Sequence, residues 1–147
     1  VPRVILFSKG KKPEHAYNIA LLAERLQKAP HSLVNKTVDI EGLVVRDLKA
    51  LNCTLMLCLK GFPCCNRCSQ PLMLRDAWGQ QGFVFGGLYK GRYVGCAGTE
   101  CSQICAPLVP NKRYRLRVTI KKLDIWSATK LSVYEMYHLH LVSFRPL

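Results

Sequence analysis

The cysteines carry the clearest chemistry in this chain, because all eight lie between residues 53 and 105. One cluster is in PCCNRCSQ and a second is in GCAGTECSQIC. The eight residues are Cys53, Cys58, Cys64, Cys65, Cys68, Cys96, Cys101 and Cys105. Cysteines at such short spacings bind zinc as thiolates, and they form disulfides in an oxidising compartment. Either chemistry would tie the two clusters together.

A structural zinc site needs four ligands, usually two closely spaced pairs. Cys65 and Cys68 have the spacing of one pair, and Cys101 and Cys105 could supply the other, so these four are the predicted zinc ligands. Against zinc, four cysteines are left over, and Cys64 lies next to Cys65. Vicinal cysteines do not easily bond each other but can serve two different disulfide partners. An even, dense set of cysteines also fits a secreted disulfide framework, so the pattern leaves both hypotheses open.

Aromatic side chains alternate with cations between the two cysteine clusters, in RDAWGQQGFVFGGLYKGRYVG. Single-stranded nucleic acid is bound by a cationic groove with aromatic platforms. A row of arginines also shares one face of the strand RYRLRVTIKKL. We expect Phe83 and Phe85 to lie in the core instead. The predicted nucleic-acid-binding residues are Arg75, Trp78, Tyr89, Lys90, Arg92, Tyr93, Arg113, Arg115 and Arg117.

The composition favours a binding protein over an enzyme. The net charge is +13, from 22 Lys and Arg against 9 Asp and Glu, and it attracts polyanions. So few acids argue against a pair of catalytic carboxylates. His138 and His140 share a strand face, but no carboxylate pattern beyond the nearby Glu135 completes a metal site. No P-loop or nucleophile-elbow motif is present, so we expect no catalysis.

The periodicity predicts one helix followed by strands. Residues 13–29 have helical spacing of apolar positions, and Pro30 ends the pattern. Alternation typical of strands then begins near residue 36, and the run CTLMLCLK is apolar enough to be covered on both faces. No apolar run reaches the ~18 residues of a transmembrane helix. The predicted strands are TVDIEGLVV, CTLMLCLK, QPLMLRD, one or two in GFVFGGLYKGRYVG, RYRLRVTIKKL and VYEMYHLHLVSF.

TVDIEGLVV, the strand directly after it and the late strand KRYRLRVTIKKL resemble the strands of an OB-fold, over roughly residues 35–144. The resemblance implies a mainly β, five-stranded OB-like barrel with an N-terminal helix and a Cys-rich insertion at 53–105, as one domain over 1–147. Zinc-bearing OB domains of the replication protein A large-subunit type carry two clean Cys pairs, whereas this chain has one. Secreted netrin-like modules use a similar barrel with disulfides.

The sequence leads to two alternative hypotheses for the function. The first is non-enzymatic binding of single-stranded nucleic acid, with structural zinc and a nuclear location. The second is a secreted, disulfide-stabilised module that binds a protein or an acidic glycan, or inhibits a protease. The glycosylation sequons at Asn35 and Asn52 favour the second. A small basic barrel could also belong to a larger assembly through a protein partner.

Overall fold

The computed structural model describes residues 16–124 and 131–147, which are mainly β-strand. Two short 3-10 turns, Pro30–Ser32 and Leu48–Ala50, connect some of the elements. The elements are α1 Ile19–Lys28, β1 Thr37–Arg46, β2 Asn52–Cys53, β3 Arg67–Arg75, β4 Gly82–Gly86, β5 Leu88–Tyr89, β6 Arg92–Tyr93, β7 Gly95–Thr99, β8 Gln103–Ala106, β9 Lys112–Lys122, α2 Val133–Met136 and β10 Tyr137–Pro146.

Helix α1 is shorter than the sequence predicted. It begins at Ile19, because the Asn18 side chain accepts a hydrogen bond from the Leu21 amide at 2.8 Å. Just before the helix, Tyr17 is extended and pairs with β1, donating its amide to the Asp39 carbonyl at 2.9 Å. Residues 13–15 of the predicted helix lie outside the described residues. The helix ends just before Pro30, as the sequence predicted.

Five strands form a ring-like sheet in the order β1-β3-β4-β10-β9, and β9 pairs again with β1. All of these pairs are antiparallel except β4 with β10. Strand β9 alternates as predicted, so Leu116, Val118 and Ile120 point inward and are buried. The same core includes Phe83 and Phe85, which confirms that the two phenylalanines are core residues. The buried face of α1 packs against this core.

A second region, which we call the arm, extends from the ring and consists of residues 52–71 and 95–106. Strand β3 belongs to both regions. Its first half pairs with β2 and β7, whereas residues 72–75 pair with β1 and residues 73–75 with β4. Strand β8 pairs with β7 at the outer edge of the arm. All eight cysteines lie in the arm.

The cysteines form four disulfides: Cys53–Cys68, Cys58–Cys65, Cys64–Cys101 and Cys96–Cys105. The predicted zinc site of Cys65, Cys68, Cys101 and Cys105 is therefore wrong, since each of the four sulfurs is bonded to a different cysteine and none is a thiolate that could bind metal. The vicinal cysteines take different partners, as the sequence suggested. Cys64–Cys101 joins the two clusters. Four disulfides are typical of secreted and extracellular proteins.

The predicted strand CTLMLCLK is also wrong, because only Asn52–Cys53 is strand there. The chain then leaves the sheet as a loop, where Leu55 and Leu57 are 98% and 101% exposed instead of covered on both faces. Two disulfides, Cys53–Cys68 and Cys58–Cys65, close this loop onto itself. These covalent bonds hold the loop without burying its apolar side chains.

Candidate functional site

A groove of about 750 Å³ crosses the outer surface of the ring. Its floor is a row of outward-facing side chains on neighbouring strands: Val45 of β1 lies opposite Met73 of β3, and Met73 lies opposite Val84 of β4. The row continues to His138 of β10, which lies opposite Val84. Because the four positions are in register across four strands, they form one continuous, mainly apolar strip.

Charged residues of both signs border this strip. The cations are Arg46, Lys49 and Arg75, and the acids are Asp47 and Glu135. Asp47 also caps the turn after β1, since its side chain accepts a hydrogen bond from the Lys49 amide at 3.2 Å. The groove can therefore bind a ligand that is partly apolar and charged in places.

Arg75 lines the groove and carries one hydrogen-bond donor without a partner among the described residues. Its Nε is buried and has no hydrogen-bond partner among the residues that the structure describes. A buried donor left without a partner costs about 1–3 kcal/mol. That Nε is closed to a ligand in the groove, but Arg75 lines the groove and its positive charge can attract a ligand carboxylate.

Glu135 adds a negative charge to the border of the groove. Its carboxylate accepts the Ser132 amide at 3.0 Å in a capping box at the start of α2. Hydrogen bonds from the Ser132 backbone and side chain lower the pKa of Glu135. This border therefore stays negative down to acidic pH.

His138 and His140 lie side by side on the outer face of β10. A Cβ atom at Gly86 would come within 2.6 Å of His138 Nδ1, and one at Gly87 within 2.6 Å of His140 Nδ1, so both rings pack on glycine backbone. Burial, and secondly the charge of His140, lower the pKa of His138; burial and then Lys121 lower the pKa of His140. Both rings are therefore largely neutral at pH 7.

The histidines do not belong to a metal site in the described structure. Among the described residues, the one group of three potential ligands close enough to hold an ion is Cys58, Cys65 and Glu100. Cys58 and Cys65 are bonded to each other, which leaves Glu100 as the sole ionic oxygen donor of that group. This group therefore lacks the thiolates that a zinc site would need.

The predicted nucleic-acid-binding residues fall into three separate places. Arg75 lines the groove, and Trp78, which is 96% exposed, lies in the turn between β3 and β4 that also contributes Gln80 and Gln81 to the groove. Arg75 therefore belongs to the groove, and Trp78 is close in sequence to residues that line it. The other seven lie on the β5–β6 hairpin and on β9.

The hairpin holds Tyr89, Lys90, Arg92 and Tyr93. The ring of Tyr89 packs edge-on against Phe144 with 5.7 Å between centroids, and Lys90 Nζ lies 5.4 Å from the Tyr89 centroid. Burial, and secondly the charge of Asp47, raise the pKa of the Tyr93 hydroxyl. Tyr89 is therefore used in packing, whereas Tyr93 is 42% exposed.

Arg113, Arg115 and Arg117 lie on the outer face of β9, between β1 and β10, and none of the three lines the groove. Asp39 of β1 lies between two of them. Its carboxylate is 3.7 Å from Arg115 Nε and 3.2 Å from Arg117 Nε, and Asp39 itself is buried. This ion-pair cluster neutralises part of the arginine row.

Sequence reasoning missed the residues that form the groove floor. The alternation in β1 and β3 indicated that Val45 and Met73 could face outward, but only the register between strands puts them in one row with Val84. The exposed loop after β2 was missed because an apolar run normally indicates burial. Asn66, which holds that loop, has no recognisable motif around it.

Comparisons with known proteins give no relative for this arrangement. No family model matches the chain, and neither the curated proteins nor the solved structures contain a match. Of the helices in the described residues, none has both the length and the apolar character needed to cross a bilayer.

Proposed function

We propose that this chain is a non-enzymatic binding module of the OB type, stabilised by disulfides and acting outside the reducing cytosol. The closed ring β1-β3-β4-β10-β9, with one parallel pair, supports an OB-type barrel. In OB-folds the ligand crosses the outer face of the second and third strands. The groove on β3 and β4 occupies the corresponding face of this ring. The four disulfides support an oxidising compartment.

The ligand that fits the groove best is an extended, acidic polypeptide segment. The observation that carries this proposal is the apolar row of Val45, Met73 and Val84 bordered by charges of both signs. A peptide in extended conformation alternates its side chains, so apolar ones can lie on the row while acidic ones reach Arg75. The net charge of +13 favours acidic partners.

Single-stranded nucleic acid is the second candidate ligand. The charge of +13 and the arginines on the outer face of β9 favour it. Stacking platforms beside a cationic groove are the usual means of such binding. The exposed rings of Trp78 and Tyr93 would then serve as platforms. The two candidates make different demands: the peptide depends on Arg75, and nucleic acid depends on Arg113, Arg115 and Arg117.

The three methionines provide a direct test. Met73 lies in the groove, Met56 lies in the exposed loop after β2, and Met136 packs against the core. In a protein labelled with ¹³C-methyl methionine, a synthetic peptide of alternating Glu and Val should shift the Met73 resonance and leave Met136 unchanged. Arg75→Gln should weaken this binding about tenfold or more, because a charge-assisted hydrogen bond is lost.

Arg113→Gln is the matched control, since it removes one cation from β9 and leaves the groove intact. It should change peptide affinity little. If an oligothymidylate binds instead, with affinity that falls steeply in salt and depends on Arg113 more than on Arg75, the peptide proposal is wrong and the nucleic-acid proposal is right. If neither probe shifts Met73, the groove is not a binding site for these classes.

A further inference from the structure

The loop after β2 presents a cluster of bare apolar side chains, which we call the apolar tip. Leu57 is 101% exposed, Leu55 98% and Leu59 75%. Contiguous exposed apolar side chains mark surfaces that bind a partner or a membrane. These side chains stand away from the groove row, so they form a separate surface. The apolar tip consists of Leu55, Met56, Leu57, Leu59 and Phe62.

Part of the backbone of the apolar tip forms hydrogen bonds within the protein. The side chain of Asn66, which is 7% exposed, accepts the Met56 amide at 2.7 Å and donates to the Met56 carbonyl at 3.2 Å. The Phe62 amide donates to the Leu59 carbonyl at 2.8 Å. Backbone groups that enter hydrocarbon must be paired in this way, since lipid offers no partners. The Met56 and Phe62 amides and the Met56 and Leu59 carbonyls can thus leave water without losing their partners.

Disulfides hold this tip in place. Cys58 lies within it and is bonded to Cys65, and Cys53–Cys68 closes the base of the loop. A loop ordered in advance loses little conformational entropy on binding. The tip is therefore organised to present its side chains together before it meets any partner.

The charges beside the tip select an anionic partner. Lys60 lies within the tip sequence and Arg67 follows the loop. The nearby acid, Glu100, accepts a hydrogen bond from Asn66 Nδ2 at 3.1 Å. Each cation near a negatively charged membrane surface contributes about 1 kcal/mol. The net charge of the whole chain, +13, strengthens this attraction to an anionic surface.

The composition of the tip fits lipid better than protein. Protein–protein hot spots are rich in Trp, Tyr and Arg and poor in Leu, whereas three of the five tip side chains are Leu. A second copy of the chain is disfavoured, because each copy would bring +13 and its own Lys60 to the same place. We propose that the apolar tip inserts into the interfacial region of an anionic lipid bilayer and attaches the protein peripherally to it.

Vesicle cosedimentation tests this inference on the oxidised protein. Vesicles of phosphatidylcholine with phosphatidylserine should bind the protein, and phosphatidylcholine alone should bind it more weakly. The double variant Leu55→Ser, Leu57→Ser should lower the partition coefficient by at least about tenfold, because two apolar side chains no longer insert. Both positions are fully exposed, so the variant should keep its fold.

Val142→Ser is the control matched to the single variant Leu57→Ser. Val142 is 47% exposed and lies at the bulge of β10, where it pairs with neither of the neighbouring strands, β4 and β9. It should not change vesicle binding, whereas Leu57→Ser should weaken it. In addition, the ¹³C-methyl signal of Met56 should broaden on vesicle addition. If the Met56 signal of the Leu57→Ser variant broadens as much as that of the unmodified protein, and the variant binds vesicles equally well, insertion of the tip is contradicted.

Three other outcomes would overturn the proposal. Absence of binding to anionic vesicles at low salt excludes a membrane partner. Binding that Lys60→Gln abolishes but the double leucine variant leaves unchanged would show electrostatic adsorption without insertion. A dimer in solution that Leu57→Ser dissociates would show that a second copy covers the tip. None of these results bears on the groove, which the Met73 signal tests separately.

Discussion

The ring and the arm are stabilised in different ways. The ring surrounds a continuous core to which β1, β3, β4, β9 and β10 all contribute apolar side chains. In the arm, which is described throughout, the buried residues are two cysteines, a glycine and two amides, and none is aliphatic or aromatic: Asn66, Cys68, Gln70, Gly95 and Cys96. Four disulfides take the place of a core there.

Hydrogen bonds from buried amides assist the disulfides. Asn66 makes contacts with Thr54, Met56 and Glu100, and Gln70 Nε2 donates to the Asp47 carbonyl at 3.0 Å, which links the arm to the ring. A region held by covalent bonds and amides need not bury its leucines. This difference explains how the arm can expose an apolar tip while the ring buries most of its apolar side chains in its core.

The largest expected effect is in the ring. Phe83 is fully buried, and its ring centroid lies 4.9 Å from that of Tyr134. Phe83→Ala should lower the free energy of unfolding by about 3–5 kcal/mol, because it leaves a cavity that the strands cannot fill. Guanidinium denaturation of the oxidised protein measures this change.

Leu57→Ala is the matched truncation in the arm. At 101% exposure, Leu57 has no packing to lose, so its truncation should change stability by less than about 0.5 kcal/mol. If the two truncations cost similar amounts, the arm has an apolar core of its own and the contrast between the regions fails.

The second effect concerns the disulfide that joins the two cysteine clusters. Cys64 and Cys101 are 37 residues apart, and a loop of that length corresponds to about 4 kcal/mol in the chain-entropy model. Cys64→Ser, Cys101→Ser should lower stability by up to this amount. Amide hydrogen exchange should show lost protection in β7 and β8 but kept protection in β9 and β10.

The comparison variant is Cys58→Ser, Cys65→Ser, which opens a separation of seven residues. The same estimate gives about 2 kcal/mol, so this variant should cost less. Exchange that speeds up equally in ring and arm would contradict the division, since it would mean that the disulfides hold the whole molecule as one unit.

The ring was largely predictable from the sequence, because alternating apolar residues must face a core. The strands around Val38, Leu116 and Leu139 follow that alternation, and the helix stop at Pro30 follows from the missing amide and fixed φ of proline. The arm was not predictable in the same way. Cysteine spacing alone leaves zinc and disulfides equally open, and an apolar run such as CTLMLCLK indicates burial unless covalent bonds make burial unnecessary.

The groove was unpredictable for a different reason. The sequence shows which side chains point outward from a strand, but not which outward positions of different strands lie opposite one another. The row from Val45 to Val84 depends on that register. Likewise, the sequence showed three arginines on one face of β9 but not that Asp39 lies between Arg115 and Arg117.

The smallest expected effect is pH-dependent and should be confined to the ring. His138 and His140 have pKa values lowered below the ordinary 6.5 by burial and by neighbouring positive charge. Between about pH 7 and 5 the unfolded chain then binds more protons than the folded one, so the free energy of unfolding falls as the pH falls. Guanidinium midpoints across this range should show that decrease.

Substituting both histidines by glutamine should flatten the pH dependence of the free energy of unfolding. His31→Gln is the control, because His31 is exposed in the turn after α1, away from β10, and it should flatten the dependence less. The arm contains no histidine, so amide exchange in β7 and β8 should not change over the same pH range. If acidification to pH 5 loosens the arm first, the arm depends on the ring's outer face, and the two regions are not independently held.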